Sequence, residues 1–395
     1  MQKTKLWVSP VEAVLYIMLI LVIIGTVNIF SASFVMAGQL LDDSYFFLKR
    51  HLISFGLGFA GLLAAVRLDY HKLRRLLLPM TVVTIALLIA VKFIGIEANG
   101  AKRWLNLGIQ FQPSELAKLM SLILTASYLG PKIDRNRRIT LMSMPILIIG
   151  ITGFMVLRQP DMGTASIIVG LCVILYIIAG LPRSQLYLLC ALCAAGAVYL
   201  TYAAAYRAER ISAWINPWAF QDSTGYQTVQ SLLAIGSGGF FGAGLGMGAS
   251  KFYYLPEAHT DFAFAVLCQE MGFAGALVVL LLLGALACYG GQIARQAQDG
   301  FGKMLAVGVT ILVAGQGLAN IAMVSGLLPV IGVPLPFLSF GGTSLIVNMV
   351  SIGILMSVGR KAGQGLPPEP RRTSGRTAEG RRRLRVLRPG GSISG

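Results

Sequence analysis

The chain has 395 residues, of which 55% are hydrophobic and only 12% are charged, and its mean hydropathy is +0.72. Soluble proteins carry charge on about a quarter of their residues, so this composition excludes an ordinary soluble enzyme. The apolar runs are long enough to be membrane-spanning helices, and they do not alternate as the strands of a membrane barrel do. All five cysteines lie inside these runs, which favours buried free thiols over disulfides.

Apolar runs separated by charged breaks predict ten membrane-spanning helices and hence an all-α integral membrane protein. We expect the spans near residues 11–36, 51–66, 76–96, 113–130, 140–157, 164–181, 185–205, 262–289, 303–327 and 341–359. A long extracytoplasmic loop, residues 206–261, is predicted between the seventh and eighth helices. Within it, residues 226–235 form an amphipathic stretch that is typical of a helix on a membrane surface.

Three prolines and a double glycine interrupt residues 328–344, between the ninth and tenth helices. Irregular backbone is tolerated at membrane depth only where protein covers it or where it lines a wet cavity, so we predict a re-entrant segment here. One membrane domain, residues 11–359, therefore follows a short N-terminal segment, residues 1–10. The basic tail, residues 360–395, has too few apolar residues to bury a core and is expected to be disordered.

The net charge of +17 comes mainly from helix ends and from the tail. The two termini and the connections on their side of the predicted bundle hold 23 of the 33 lysines and arginines, and the opposite connections hold 8. The positive-inside rule therefore places both termini in the cytoplasm. Contact with anionic membrane lipids accounts for this charge without any nucleic acid. Because the acidic residues gather at the opposite side, we expect an active site that faces outward from the cytoplasmic membrane.

The first polar cluster combines Lys102, Arg103 and Trp104 with Glu115 and Lys118 at the start of the fourth helix. Glu115 and Lys118 are three residues apart and therefore share a helix face. These two residues form either a structural salt bridge or part of a polar cavity wall.

The second cluster contains Arg158, Gln159 and Asp161 at the end of the fifth helix. An arginine in this position can bind a phosphate. The alternative is an ordinary arginine that reaches the interface and pairs with Asp161.

The third cluster, Glu257, His259, Thr260 and Asp261, directly precedes the eighth helix. Asp261 is either a helix N-cap or a general base whose pKa is raised by burial. His259 has no second histidine or cysteine nearby, so no metal site is predicted. Ser339 lies in the fourth cluster, the interrupted segment 328–344.

Taken in chain order, the four clusters resemble the SEDS family (shape, elongation, division and sporulation), which includes FtsW, RodA and SpoVE. The resemblance rests on residues 102–105, 111–118, 159–164, 255–262 and 334–342, and segments 30–33 and 45–50 are most similar to the division and sporulation branch. It implies a peptidoglycan glycosyltransferase of a bacterial cytoplasmic membrane. The substrate that it implies is lipid II, a polyprenyl-pyrophosphate disaccharide pentapeptide, which is added to a growing glycan strand.

The resemblance also implies a class B penicillin-binding transpeptidase as partner, together with other division or sporulation proteins. The family's essential aspartate falls on Asp261, which we expect to act as general base in an inverting displacement of polyprenyl pyrophosphate. No cofactor is implied with certainty, and a divalent cation, Mg²⁺ or Mn²⁺, stays open.

The expected substrate-binding residues come from the four clusters. They are Lys102, Arg103, Trp104, Glu115, Lys118, Arg158, Gln159, Asp161, Glu257, His259, Thr260 and Ser339. The cations among them are candidates for stabilising the pyrophosphate charge. Trp104 either stacks on a sugar or anchors its loop at the membrane interface.

Two other functions stay open at this point. A lipid II flippase would need a polar pathway that reaches both sides of the membrane, whereas the polar residues here gather on one side. A non-catalytic scaffold for a transpeptidase would tolerate replacement of Asp261.

Overall fold

A computed structural model of the chain describes residues 9–98, 101–106, 108, 110–202, 205–248 and 255–363. The predicted disordered tail lies almost wholly outside the described residues, as does the short N-terminal segment. Each of the ten predicted spans coincides with a helical segment. The helices are α1 (Pro10–Leu41), α2 (Phe46–Arg67), α3 (Lys72–Ile94), α4 (Pro113–Asp134), α5 (Met144–Leu157), α6 (Met162–Ile178), α7 (Arg183–Tyr202), α8 (Ala205–Ile215), α9 (Tyr226–Ser237), α10 (Ala263–Gln296), α11 (Gly300–Thr310), α12 (Gln316–Val324) and α13 (Gly342–Gly363).

The helical pattern confirms a multi-pass, all-α membrane fold. In the described part of the chain, six helical segments are long and apolar enough to cross a membrane: α1, α2, α3, α10, α13 and the continuous stretch Gly300–Val324. The helices α5 and α6 are shorter and also apolar. Large apolar side chains such as Leu78, Phe93 and Phe154 are exposed on the outside of the bundle, as expected for surfaces that face lipid tails.

Three short strands connect α3 to α4, and the sequence analysis did not predict them. The strands β1 (Ile96–Ala98), β2 (Ala101–Asn106) and β3 (Gln110–Phe111) pair antiparallel in the order β1-β2-β3. In β2 the side chains of Ala101 and Leu105 are buried while Lys102 and Asn106 are exposed. Strands this short give too few alternating positions to be distinguished from a loop.

The segment between α7 and α10 was predicted as a long loop, and its described part is mostly helical. It contains α8, a single 3₁₀ turn (Pro217–Phe220) and α9, which covers the predicted amphipathic stretch. The hydroxyl of Ser231 in α9 donates to the carbonyl oxygen of Val324 at 2.6 Å, which attaches this segment to the end of α12. The described part of the long connection therefore forms a wall at one end of the bundle.

The segment between α12 and α13 has no regular structure, as predicted from its prolines and glycines. Leu335, Phe337 and Leu338 are nonetheless buried. Its backbone comes so close to α1 that a β-carbon at Gly25 would lie 2.1 Å from the carbonyl oxygen of Phe337. Only a glycine at position 25 allows this approach.

Consecutive spanning helices run in opposite directions, so the connections gather at two ends of the bundle. The end that holds the β-strands, α8, α9, residues 255–262 and residues 325–341 is called the site end below. The opposite end holds the connections that are richer in lysine and arginine.

We expect Gly25→Ala to lower the free energy of unfolding by about 1–3 kcal/mol, because the added methyl group forces the buried 337–338 backbone to move. The measurement is the thermal unfolding midpoint of purified protein in detergent. Gly56→Ala is the matched control, because an added β-carbon at Gly56 in α2 meets nothing within 4 Å. Equal midpoints for the two variants would contradict the close approach of α1 and the irregular segment.

Candidate active site

A cavity of about 1080 Å³ opens at the site end of the bundle. We call it the central cavity. Its walls come from the start of α2, from β2, from the first turns of α4 and α6, from α8 and α9, and from the irregular segment. The predicted site residues that line it are Arg103, Trp104, Glu115, Asp161, Glu257, His259, Thr260 and Asp261. The fold therefore brings together residues from all three of the clusters that precede α10.

Asp261 lies in the wall of the central cavity, in the turn that directly precedes α10. The N-cap of α10 is Phe262 and has no side-chain hydrogen bond, so the interpretation of Asp261 as a helix cap is wrong. No described side chain donates a hydrogen bond to its carboxylate. Burial raises the pKa of Asp261 to about 7, the negative charges of Glu257 and Asp161 act in the same direction, and Arg103 opposes them.

The three other carboxylates of the cavity are already engaged. Asp161 caps α6 by accepting from the backbone N–H of Thr164 at 3.1 Å, and it also accepts from Gln112 at 3.1 Å and Ser114 at 3.2 Å. Glu257 accepts from the Thr260 hydroxyl at 2.5 Å. Glu115 forms an ion pair with Lys118. Of these four acids, Asp261 alone accepts no hydrogen bond from a described side chain and forms no ion pair with a described residue.

The side-chain amide of Asn320 in α12 fixes the backbone at Asp261. It donates to the carbonyl oxygen of Asp261 at 2.8 Å and to that of Val333 at 2.7 Å. One turn earlier, the Gln316 amide donates to the carbonyl oxygen of Pro334 at 2.9 Å. A π-helical turn, Ile311–Gly315, directly precedes Gln316, and such turns re-aim the side chains that follow them. The 255–262 turn and the irregular segment are thus held from one helix.

Glu115 and Lys118 form a buried ion pair with a distance of 2.8 Å between Lys118 Nζ and Glu115 Oε1. Lys118 also donates to the side-chain oxygen of Gln316 at 2.8 Å. Glu115 reaches the central cavity, and its second oxygen is buried without a partner among the described residues. Both interpretations of this pair are therefore correct for Glu115, whereas Lys118 does not line the cavity and acts through its partners.

Arg103 attaches β2 to the α5–α6 connection. Its guanidinium donates to the carbonyl oxygens of Gln159 at 3.1 Å and Pro160 at 2.5 Å. Gln159 is buried beneath the cavity wall and donates to the carbonyl oxygen of Leu88 at 3.0 Å. Arg103 is therefore a cation whose position at the cavity is fixed by two backbone groups.

Five of the predicted substrate-binding residues do not line the central cavity: Lys118 and Gln159, whose contacts are given above, and Arg158, Lys102 and Ser339. Arg158 is exposed, does not line the cavity and forms no ion pair with any described residue, because Asp161 is engaged by Gln112, Ser114 and α6. Lys102 is exposed on β2 and does not line the cavity, whereas its neighbours Arg103 and Trp104 do. Ser339 is buried, and its hydroxyl accepts from the backbone N–H of Leu335 at 2.9 Å, so it shapes the irregular segment from within.

His259 packs between two aromatic rings at the cavity edge. Its ring centroid lies 4.5 Å from that of Phe47 and 5.9 Å from that of Phe340. Its carbonyl oxygen accepts from the backbone N–H of Phe340 at 2.8 Å, which links the 255–262 turn to the start of α13. Burial lowers the pKa of His259, and the charge of Glu257 opposes this effect. A largely neutral imidazole therefore faces the cavity.

Sequence analysis missed two cations of the central cavity, Arg50 and Arg210. Arg50 lies over the Phe46 ring at 4.3 Å, in the first turns of α2. Arg210 lies in α8, inside the segment that was predicted to be a loop. Arg210 lies in no motif, and Arg50 ends the segment 45–50, which contributes to the family resemblance but was not assigned to the site. Only the placement of α2 and α8 around the cavity identifies both as site cations.

The described residues contain no group of three or more histidine, cysteine or acidic side chains arranged to hold a metal ion. Besides its acidic side chains, the central cavity is lined by three arginines and by aromatic rings. Such a site can bind an anionic group close to a neutral, hydroxylated one.

Comparison with known proteins places these features in one family. The chain is 40% identical over 349 residues to a probable peptidoglycan glycosyltransferase FtsW of Geobacter sp. strain M18, a match that covers 87% of this chain and 95% of that protein. It is 38% identical over 356 residues to the stage V sporulation protein E of Bacillus subtilis strain 168, covering 89% and 97%.

Solved structures give the same result at the level of the fold. One solved structure carries the description "Structural coordination of polymerization and crosslinking by a peptidoglycan synthase complex". A chain in it superimposes on this chain with a TM-score of 0.73 and 28% sequence identity, covering 90% of this chain and 98% of that one. The rod shape determining protein RodA of Thermus thermophilus has a TM-score of 0.64 and 27% identity, covering 89% and 97%. The family profile of the cell cycle proteins FtsW, RodA and SpoVE matches residues 12–364. This chain therefore belongs to the FtsW, RodA and SpoVE family of cell cycle proteins.

Proposed function

We propose that this chain is a peptidoglycan glycosyltransferase that polymerises lipid II into glycan strands at the outer face of the cytoplasmic membrane. The observation that carries the proposal is the Asp261 carboxylate. It has a pKa of about 7, engages no hydrogen-bond donor among the described residues, and lies in the wall of a cavity with three arginines. The names of the relatives, a probable peptidoglycan glycosyltransferase and a sporulation protein, support the same activity.

The chemistry needs one base and a stabilised leaving group. A sugar hydroxyl of the acceptor attacks the anomeric carbon of the donor, a new glycosidic bond forms, and the bond to the polyprenyl pyrophosphate breaks. Asp261 takes the proton of the attacking hydroxyl, and the pyrophosphate leaves with the bonding electron pair. One displacement inverts the anomeric centre. Pyrophosphate needs no acid to leave, so the pair of carboxylates that glycoside hydrolysis uses is unnecessary.

The three arginines of the central cavity stabilise the negative charge of the leaving pyrophosphate. Arg103 is fixed by the carbonyl oxygens of Gln159 and Pro160, and Arg50 is ordered by its contact with the Phe46 ring. Cations that are held in place before the reaction need no reorganisation as charge develops on the leaving group. Trp104, which lines the same cavity, supplies a flat apolar face for a sugar ring.

The site end faces outward in this proposal. The opposite end of the bundle carries most of the lysines and arginines, and the positive-inside rule assigns that end to the cytoplasm. The partner that we propose is a class B penicillin-binding transpeptidase of the division or sporulation machinery. It would cross-link the strands that this chain makes, in keeping with the peptidoglycan synthase complex that contains a structural relative.

We expect Asp261→Asn to lower the rate of glycan synthesis by at least about a hundredfold, because the amide cannot accept the hydroxyl proton. The measurement is the amount of polymer that purified protein, with and without a class B transpeptidase, forms from labelled lipid II. Asp222→Asn is the matched control, since Asp222 is an exposed aspartate outside the cavity. Equal synthesis by Asp261→Asn and wild type would contradict the role of Asp261. Labelled lipid II that crosses vesicle membranes without any polymer would support a flippase instead.

The pH dependence follows from the raised pKa of Asp261. A base acts in its deprotonated form, so the rate should fall as the pH drops below about 7. Glu257→Gln removes a negative charge that raises the pKa of Asp261, so the acidic limb of the rate profile should move to lower pH. The measurement is initial rate against pH for both proteins at saturating lipid II. An unshifted limb would show that Glu257 does not act on the titrating group.

Arg50 and Arg158 are both exposed, and of the two only Arg50 lines the central cavity. Their variants therefore test whether a cation must lie in the cavity to act on the pyrophosphate. We expect Arg50→Gln to lower the rate of polymer formation by about tenfold, because Arg50 lines the central cavity and a fixed charge on a leaving pyrophosphate contributes at least this much. Arg158→Gln is the control and should leave the rate unchanged, because Arg158 lies outside the cavity. The measurement is initial rate against lipid II concentration. A larger loss for Arg158→Gln than for Arg50→Gln would contradict this assignment of the pyrophosphate site.

A further inference from the structure

A second, smaller cavity of about 260 Å³ lies beside the central cavity, between α8, α9 and the irregular segment. Its walls include Arg210, Trp214, Thr224, Tyr226 and Gln227. We call it the side cavity. Arg210, Gln227 and Val330 line both cavities, so the two spaces adjoin along these three side chains.

A hydrogen bond and a close backbone approach fix the walls of the side cavity. The indole N–H of Trp214 donates to the carbonyl oxygen of Gly326 at 3.1 Å, which sets the orientation of the ring. Gly225 closes the turn before α9, where an added β-carbon would lie 2.6 Å from the carbonyl oxygen of Pro217. A cavity with walls this constrained exists before any ligand binds.

The chemistry of the lining is that of a site for a neutral, hydroxylated ligand. The hydroxyl oxygen of Thr224 is buried and has no partner among the described residues. Buried polar atoms are nearly always hydrogen-bonded, so an unpartnered one calls for an explanation, such as a ligand. Ser223, Thr228 and Gln227, which carry hydroxyl and amide groups, also line the side cavity, and none of the described lining residues is acidic. Two aromatic rings, Trp214 and Tyr226, provide flat apolar faces.

We propose that the side cavity is a subsite for one saccharide unit of the growing glycan strand, adjacent to the sugar that reacts in the central cavity. The proposal rests on the proposed function, because a glycan polymerase must accommodate the sugars next to the reacting one. Hydroxyl and amide groups around an aromatic face suit a sugar ring. The peptide stem of the substrate, which carries carboxylates, would find only Arg210 as a counter-charge among the described lining residues.

Binding tests this subsite without any need for catalysis. The probe is a soluble β-1,4-linked tetrasaccharide of N-acetylglucosamine, titrated into the purified full-length protein by calorimetry. We expect Trp214→Ala and Thr224→Val each to weaken binding by about tenfold, through loss of an aromatic face or of a hydrogen bond. Trp218→Ala is the matched control and should bind as wild type does, since Trp218 is 53% exposed and lines neither cavity.

Polymer length gives the second readout, on gels of glycan made from labelled lipid II. We expect shorter strands from Trp214→Ala and Thr224→Val and unchanged strands from Trp218→Ala. Tetrasaccharide affinity and strand length equal to wild type in both cavity variants would overturn the proposal, and so would competition by a soluble stem pentapeptide alone. Thr224→Val keeps the test valid if Trp214→Ala fails to fold. Absence of polymer from wild type would count against the proposed function, while the titration would still test the side cavity.

Discussion

One buried amide, that of Asn320, connects the parts of the candidate active site. It donates to the carbonyl oxygens of Asp261 and Val333, which belong to two segments without regular structure. A carbonyl group buried without a donor is costly, so each segment is stabilised in the position where it meets α12. Gln316, one turn earlier, holds Pro334 and is itself held by Lys118. The position of the Asp261 backbone in the cavity wall is therefore fixed by α12, although Asp261 belongs to the turn before α10.

The same arrangement explains why one carboxylate differs from its neighbours. Asp161 caps α6 and accepts hydrogen bonds from two side chains, and Glu115 forms an ion pair with Lys118. The negative charges of Glu257 and Asp161 act on Asp261 and raise its pKa. Burial and repulsion then favour the protonated form of Asp261, while Arg103 limits the effect. The result is a base with a pKa of about 7, which is close to the pH at which it would work.

The long connection between α7 and α10 has two roles in this arrangement. Through Arg210 and Gln227 it completes the wall of the central cavity, and through Trp214 and Thr224 it forms the side cavity. Its hydrogen bonds to Val324, the last residue of α12, and to Gly326, two residues further on, join it to the end of the helix that also holds the Asp261 backbone. In the proposed function, substrate positioning and proton transfer therefore both depend on α12, and a shift of this helix would change both cavities.

The sequence by itself determined the membrane class, the ten helical segments and the irregular segment before α13, because apolar run length and proline and glycine content are local properties. It also made Asp261 the candidate base, through the family resemblance of its motifs. Only the tertiary structure decided which cations meet at the cavity. Arg50 and Arg210 enter from α2 and α8, and Arg158 turns away although it neighbours Asp161 in sequence. It also decided that Asp161, and not Asp261, caps a helix. Helix packing brings together side chains that are far apart in the chain, and no local pattern carries that information.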